Sequence, residues 1–432
     1  MQQSCCSRGV RKSYVRSVLI FGAVAVAVGC SSGGPVGPET KPYLLPVPSA
    51  GELARPRTLE QTGLPVEATR AAIPPDNPQT ADKVTLGQKL FFDGRLSADG
   101  TVACSSCHDP ARAFTDGRRV SIGIKGRVGQ RNAPTILNAL YNTTQFWDGR
   151  ARTLEEQAGF PIVNPSEMGQ PNLDAAVARI ASVREYRKAF ERVFRGPPSN
   201  SNLLRAIASY ERAEVSFDSP FDHFIAGEKN AIDPSAKRGW ALFNGRGRCT
   251  TCHAVTRGQP DVTTFTDHRF HNIGVVIVRA DTVAMARQAK QVVAAGDMGA
   301  VDRTAIQSDL SLLGRFLVTR QDADIGAFKT PGLRNLLMTA PYFHEGSHAT
   351  LWDVVDHYNK GGDLNDPFLD RDIQPLALKE AEVDDLVAFL AALTSPEYKK
   401  PALKELARQR KLSRTTRPDR DTARAFGPKP GG

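Results

Sequence analysis

The sequence predicts a mainly α protein made of two similar domains with extensive loops. Three observations lead there. Apolar residues recur at helical spacing over Leu173 to Phe194, Leu203 to Phe217 and Glu382 to Leu393, and nothing reads as a set of long strands. A short helical pattern precedes a C-x-x-C-H motif twice: Gly87-Gln88-Lys89-Leu90-Phe91 before Cys104-Ser105-Ser106-Cys107-His108, and Gly239-Trp240-Ala241-Leu242-Phe243 before Cys249-Thr250-Thr251-Cys252-His253. The two motifs begin 145 residues apart, a domain-sized interval.

In C-x-x-C-H two thiols add to the vinyl groups of a haem and the histidine ligates its iron. Cys104, Cys107, Cys249 and Cys252 are thus the attachment residues, with His108 and His253 as iron ligands. One such match could be chance or half of a zinc site. Two complete matches behind an export signal argue against both. The halves become cytochrome c-like haem domains, expected over 76–226 and 227–398. Of seven cysteines, Cys5 and Cys6 precede an apolar stretch and only Cys30 lies outside the motifs after it. No pair remains for a disulfide, so packing and covalent haem must hold the fold.

The flanks follow in order. Arg8, Arg11, Lys12 and Arg16 form a positive n-region and Val18 to Val28 a short apolar run, so 1–29 reads as a signal peptide. That run is too short to span a bilayer as a stable helix. Ala27-Val28-Gly29-Cys30 resembles a lipobox, which would leave Cys30 as a lipid anchor in a periplasmic protein; plain signal cleavage nearby is the alternative. Residues 30–75 are rich in Gly, Pro and Ser and read as a tether. The tail 399–432 holds eleven Lys/Arg against Glu405, Asp419 and Asp421. Leader and tail together more than account for the net charge of +10, leaving the body slightly acidic. That balance gives no nucleic-acid-binding body. The tail reads as a disordered, solvated extension or as a contact for anionic lipid or an acidic partner.

Further motifs are more specific. Leu86-Gly87 through Arg95-Leu96-Ser97, Phe146-Trp147-Asp148-Gly149-Arg150, Asn164-Pro165-Ser166-Glu167-Met168-Gly169, Phe328-Lys329-Thr330-Pro331, Leu333-Arg334-Asn335, Pro341-Tyr342-Phe343-His344-Glu345-Gly346 and Tyr358-Asn359-Lys360-Gly361-Gly362 occur in this order. From about residue 80 to 395 the chain resembles the bacterial di-haem cytochrome c peroxidase family, which includes MauG. The resemblance implies that the first haem handles peroxide and the second takes in electrons. It also implies a tryptophan and a calcium ion between them.

Peroxide cleavage needs an open iron and a group that removes a proton from the near oxygen and returns one to the departing oxygen. Glu167 matches the family's distal glutamate; taken alone it would be a surface glutamate in a helix's first turn. Gln157 and Pro161 match other distal positions, and otherwise read as an exposed helix residue and a helix stop. Trp147 corresponds to the tryptophan between the haems, and is equally readable as a buried core aromatic. Asn132 matches the calcium-binding asparagine, with the carbonyls of Thr339 and Pro341 as backbone ligands; hard oxygen donors suit calcium.

Two departures carry weight. Reductively activated members have a histidine that blocks the first iron, and Ile124 stands at that position in Ser121-Ile122-Gly123-Ile124-Lys125-Gly126. No histidine lies between His108 and His223, so the first haem is expected to be open in the ferric state. Fourteen residues after His344, where such members carry a methionine, stands Tyr358, as in MauG-like proteins; the last methionine is Met338. Thioether ligation favours ferrous iron, whereas a phenolate favours the oxidised state. His357 is the rival ligand, since imidazole is a common one.

Both departures point to a MauG-like peroxidase that needs no reductive activation. It reduces hydrogen peroxide and oxidises a cytochrome, a protein or a small reductant. A reductively activated cytochrome c peroxidase and a non-catalytic electron-transfer cytochrome are the alternatives. The segment from Val275 to Leu313 reads as a lengthened surface excursion or a partner-docking element. His223, His268, His271 and His348 read as hydrogen-bonded structural histidines, and His344 as support for the second haem pocket.

Overall fold

The computed structural model describes residues 66–255, 263–275 and 282–416, so the signal peptide, Cys30 and most of the tether lie outside the described residues. The first half carries α1 (Val66–Ala71), α2 (Ala81–Phe91), α3 (Leu154–Val163), α4 (Leu173–Ala181), α5 (Arg184–Phe194) and α6 (Asn200–Ala213). The second carries α7 (Pro220–Ile225), α8 (Pro234–Asn244), α9 (Thr282–Val292), α10 (Met298–Gln307), α11 (Phe316–Thr319), α12 (Leu351–Lys360), α13 (Glu380–Ala391) and α14 (Lys399–Thr416). Among the described residues strands are confined to β1 (Phe270–His271) and β2 (Phe328–Lys329), antiparallel with Phe270 opposite Lys329. The mainly α class agrees with the sequence pattern.

Each half is organised by a helix pair in backbone contact. In α2, Gly87 lies so close to α6 that an added Cβ would sit 1.9 Å from the Ala206 carbonyl oxygen. In α8, Gly239 meets α13 the same way, 1.9 Å from the Asp385 carbonyl oxygen. Only glycine admits that approach. The first helix of each pair, α2 or α8, leads to a one-turn 3-10 segment that begins the attachment motif, Cys104–Ser106 and Cys249–Thr251. Around the first pair Leu86, Leu90, Phe91, Phe114, Phe190 and Tyr210 form a core; around the second, Phe221, Phe243, Phe265, Leu386 and Phe389 form another. Tyr398, late in the chain, enters the first core and donates to the Pro110 carbonyl oxygen at 3.3 Å.

Three flank expectations need correction. The tether ends earlier than residue 75: Val66–Ala71 is helical, and Ala72 and Ile73 rest on Leu140, Val215 and Phe217. The tail is ordered into α14 as far as Thr416, because Ala402, Gln409 and Ser413 fall on one buried stripe among the basic residues. Gln409 accepts from the Leu351 amide at 2.9 Å and donates to the Tyr342 hydroxyl at 2.9 Å. The described part of the expected surface excursion is a small domain layer: Ala286, Ala289, Val301, Ala305, Leu313 and Phe316 form their own core. The apolar run from Leu173 to Phe194 is two helices, α4 and α5, broken at Ser182-Val183. No helix among the described residues is long and apolar enough to cross a membrane.

Candidate active site

Both attachment motifs line one continuous cavity, with Cys104, Cys107 and His108 at one end and Cys249, Cys252 and His253 at the other. His108 Nδ1 lies 3.0 Å from the Phe114 carbonyl oxygen and His253 Nδ1 lies 2.9 Å from that of Phe265. A ring that donates Nδ1–H to a backbone carbonyl presents Nε2 to a metal. Burial lowers the pKa of both rings, which keeps them neutral as ligation requires. Burial pushes the Cys107 and Cys249 thiols up to about 12 and that of Cys104 higher still. Such apolar surroundings oppose the thiolates of a zinc site and suit the neutral thioethers of attached haem. The residues present therefore fit two c-type haems. Cys252, Asp267 and His271 also cluster, within 4.8 Å, but Cys252 belongs to the haem motif. The His271 ring is held between Asp370 and Asp267 at 2.6 and 3.0 Å, which commits both of its nitrogens to carboxylates.

On the first half's distal side α3 begins at its cap Thr153, whose hydroxyl accepts from the Glu156 amide. It presents Gln157 and Pro161 to the cavity. The chain then turns through Asn164-Pro165-Ser166 to bring Glu167 to the same wall. The Glu167 amide donates to the Asn164 carbonyl oxygen at 3.1 Å, and its own carbonyl accepts from the Ile124 amide at 2.9 Å. Glu167 Oε2 is buried without a protein partner. Burial first, then the negative charge of Asp302, push this carboxyl up to about 8, against the opposing pull of Arg150. Ile124 sits in the core with Met168 and does not line the cavity.

Trp147 lines the same cavity. Its indole Nε1 donates to the Asn132 carbonyl oxygen at 2.9 Å, and its ring meets His344 edge-on at 6.5 Å between centroids. His344 is buried and stacked on Phe328 at 3.5 Å. At the far end, α12 begins at Thr350 in a reciprocal cap with Asp353 and presents Val354 and Tyr358 to the cavity. Burial and the nearby Cys252 and Cys249 raise the Tyr358 phenol above its ordinary value, so a phenolate there needs the charge of a metal. His357 is directed elsewhere, with Nε2 at 2.8 Å from the Ile273 carbonyl oxygen. Asn132, Thr339 and Pro341 share the cavity wall. The Asn132 amide donates to the Arg118 carbonyl oxygen at 2.9 Å, which leaves its side-chain oxygen as the atom available to a cation. Of the other histidines expected to be hydrogen-bonded, His223 bridges Asp218 and Glu228 at 2.8 and 2.9 Å and His348 bonds the Ser347 hydroxyl at 2.8 Å, whereas His268 departs from the expectation, its Nδ1 buried without a partner.

Sequence reasoning missed what stands behind Glu167. Arg150 is 3% exposed, paired with Asp148 at 3.0 Å and with Asp302 of α10 at 2.9 Å. Asp302 also accepts from the Asn164 side-chain amide at 2.6 Å. A single acid in a mixed-charge helix carries no sequence signal for such a contact.

Comparison with known proteins follows this geometry. The family model described as di-haem cytochrome c peroxidase matches residues 81–230. The methylamine utilization protein MauG of Methylorubrum extorquens is 37% identical over 333 residues, covering 75% of this chain and 83% of that protein. The cytochrome c551 peroxidase of Nitrosomonas europaea is 36% identical over 329 residues, covering 76% and 84%. Among solved structures, a MauG-like protein associated with microbial copper homeostasis superposes with a TM-score of 0.62 at 33% identity, over 76% of this chain and 95% of that one. Two attachment motifs, two neutral buried histidines and relatives covered over most of their length make this chain a member of the di-haem cytochrome c peroxidase family.

Proposed function

We propose that this di-haem peroxidase reduces hydrogen peroxide at its first haem in the fully ferric state, with no reductive activation, and oxidises an electron donor through the second. The observation that carries the reading is a matched pair of positions. Pro161 and Tyr358 each stand seven residues after the leucine that opens their helix, Leu154 in α3 and Leu351 in α12, and both line the cavity. Proline offers an iron no ligand atom; a tyrosine oxygen can coordinate. With haems attached, Pro161 would leave the distal side of the first accessible and Tyr358 would supply an oxygen to the second.

The bound haems supply the redox chemistry, which is the cofactor's own. The chain's residues supply the proton traffic and the enclosure. Glu167 takes a proton from the near oxygen of peroxide and returns it to the departing oxygen as water forms. Gln157 orients the peroxide by hydrogen bonding, and Pro161 keeps the approach free of a competing ligand. Trp147, held by its bond to the Asn132 carbonyl, is the aromatic bridge between the two haem ends. Tyr358 as a phenolate ligand would stabilise the oxidised second haem. Asn132 with the carbonyls of Thr339 and Pro341 would hold calcium near that bridge. The donor is a small cytochrome, another protein or a small molecule, and the enzyme works in the periplasm, anchored through a lipid on Cys30.

Electron paramagnetic resonance of the ferric full chain with both haems tests this reading. One high-spin and one low-spin signal are expected, with the low-spin signal altered by Tyr358→Phe. Two low-spin signals would contradict an open first haem and would favour a pure electron carrier.

A further inference from the structure

We propose that Asp302 of α10 is a positioning residue for the peroxide reaction: it anchors the loop that carries Glu167 and places a second buried negative charge beside that carboxyl. The inference rests on Glu167 acting as the proton carrier. Two side chains of α10, Asp302 and Gln307, converge on Asn164 of the loop. Asp302 Oδ2 accepts from the Asn164 side-chain amide at 2.6 Å, while its Oδ1 accepts from Arg150 Nε at 2.9 Å. Asn164 then uses its side-chain oxygen to accept from the Ser166 amide at 2.9 Å and from Gln307 Nε2, also on α10, at 3.2 Å. Its backbone carbonyl takes the amides of Glu167 and Gly169 at 3.1 and 2.9 Å. Asn164, Arg150 and Asp302 are 1%, 3% and 2% exposed, so this is a built network rather than a surface contact. Ile306, one turn beyond Asp302, lines the same cavity as Glu167.

The charges facing Glu167 explain what the network does. Arg150 is the near cation, but its guanidinium is shared between Asp148 and Asp302. Arg131 and Arg315 interact with Asp148 rather than Glu167. Arg127, from the loop over the site, is committed to the Pro165 carbonyl oxygen at 2.7 Å. Cys107, also close, is a neutral thioether once haem is attached. Glu167 is thus left with its Oε2 buried and unpartnered near the charge of Asp302, and like charges so placed favour the protonated form of one of them. α10 belongs to the active site: it sets when Glu167 can accept the proton of peroxide. No electron passes through Asp302.

The test uses the full ferric chain with both haems and hydrogen peroxide as the probe, following haem absorbance by rapid mixing from pH 5 to 9. For the parent the rate rises with pH, with a midpoint near 8, as Glu167 loses its proton. Asp302→Asn keeps Arg150 paired with Asp148. The midpoint should fall by about one pH unit, the direction expected when a like charge is removed. Glu167→Gln should be slow and flat across the range. An Asp302→Asn profile that overlays the parent, with Glu167→Gln still slow, overturns the role of Asp302 alone. A Glu167→Gln protein as fast as the parent removes Glu167 as proton carrier and this inference with it. If Asp302→Asn fails to take up two haems, infrared titration of the parent decides. The protonated-carboxyl band absent from Glu167→Gln must titrate near 8, and titration in the ordinary carboxylate range overturns the proposal.

Discussion

The two halves of this molecule repeat one scaffold and end it differently. Both hold a proximal histidine by a phenylalanine carbonyl, Phe114 or Phe265, whose residue sits at a positive φ of 59° or 58°. Both pass through a left-handed asparagine, Asn138 or Asn335, and a left-handed phenylalanine, Phe146 or Phe343. Both then close a bridge, Gln145 to Ala151 or Tyr342 to His348, and cap the next helix with a threonine, Thr153 or Thr350. Within that frame Trp147 answers to His344, Gln157 to Val354 and Pro161 to Tyr358. After α3 the first half turns into the Glu167 loop, supported by α10. After α12 the second half turns at Gly361 instead, and Leu364 stands at the position that answers to Glu167. The attachment geometry is therefore common to both halves, and the differences between them are confined to a few cavity positions, the Glu167 loop and the α10 layer.

The sharpest way to break the comparison is Glu167→Gln. It should slow the peroxide step by about 10²- to 10⁴-fold, the usual worth of a general acid–base group, with both haems still attached; stopped-flow mixing with peroxide measures it. Tyr358→Phe should make the second half resemble the first. Its low-spin signal gives way to a high-spin one and its reduction potential rises, read by paramagnetic resonance and redox titration. An unchanged spectrum would make His357 or another group the ligand. Gly87→Ala and Gly239→Ala test the common scaffold. Each Cβ would collide with a carbonyl oxygen, costing about 1–3 kcal/mol by overpacking, so both should lower the melting temperature by similar amounts. A large effect in one and none in the other would show that the two helix pairs are not equivalent. Gln409→Ala, which removes the bonds from α14 to Leu351 and Tyr342, should cost about 1–2 kcal/mol in denaturant unfolding without changing the first haem's peroxide rate.

What the sequence discloses is local chemistry at fixed spacing. Cys104, Cys107 and His108 are close in sequence because haem attachment demands it, and the same holds for Cys249, Cys252 and His253. Glu167 was legible because its Asn164-Pro165-Ser166 turn travels with it. The contacts across the fold were not. Asp302 reaches Asn164 over 138 residues and Arg150 over 152, from a helix whose other residues look like a solvated surface. α14 was hidden for a related reason: its low mean hydropathy masks a stripe in which Gln409, not an aliphatic residue, does the docking. The choice between Tyr358 and His357 also needed three dimensions. The two are neighbours in sequence, and only helix phase directs one to the cavity and the other to the Ile273 carbonyl.

The most direct measurement mixes the fully ferric full chain with one equivalent of hydrogen peroxide and follows the absorbance of both haems. A prompt change at both is expected if Pro161 leaves the first distal side open and Trp147 lets the two irons share the oxidation. No reaction until an electron is supplied would contradict it, and would mean that a ligand other than Ile124 closes the first haem until the second is reduced.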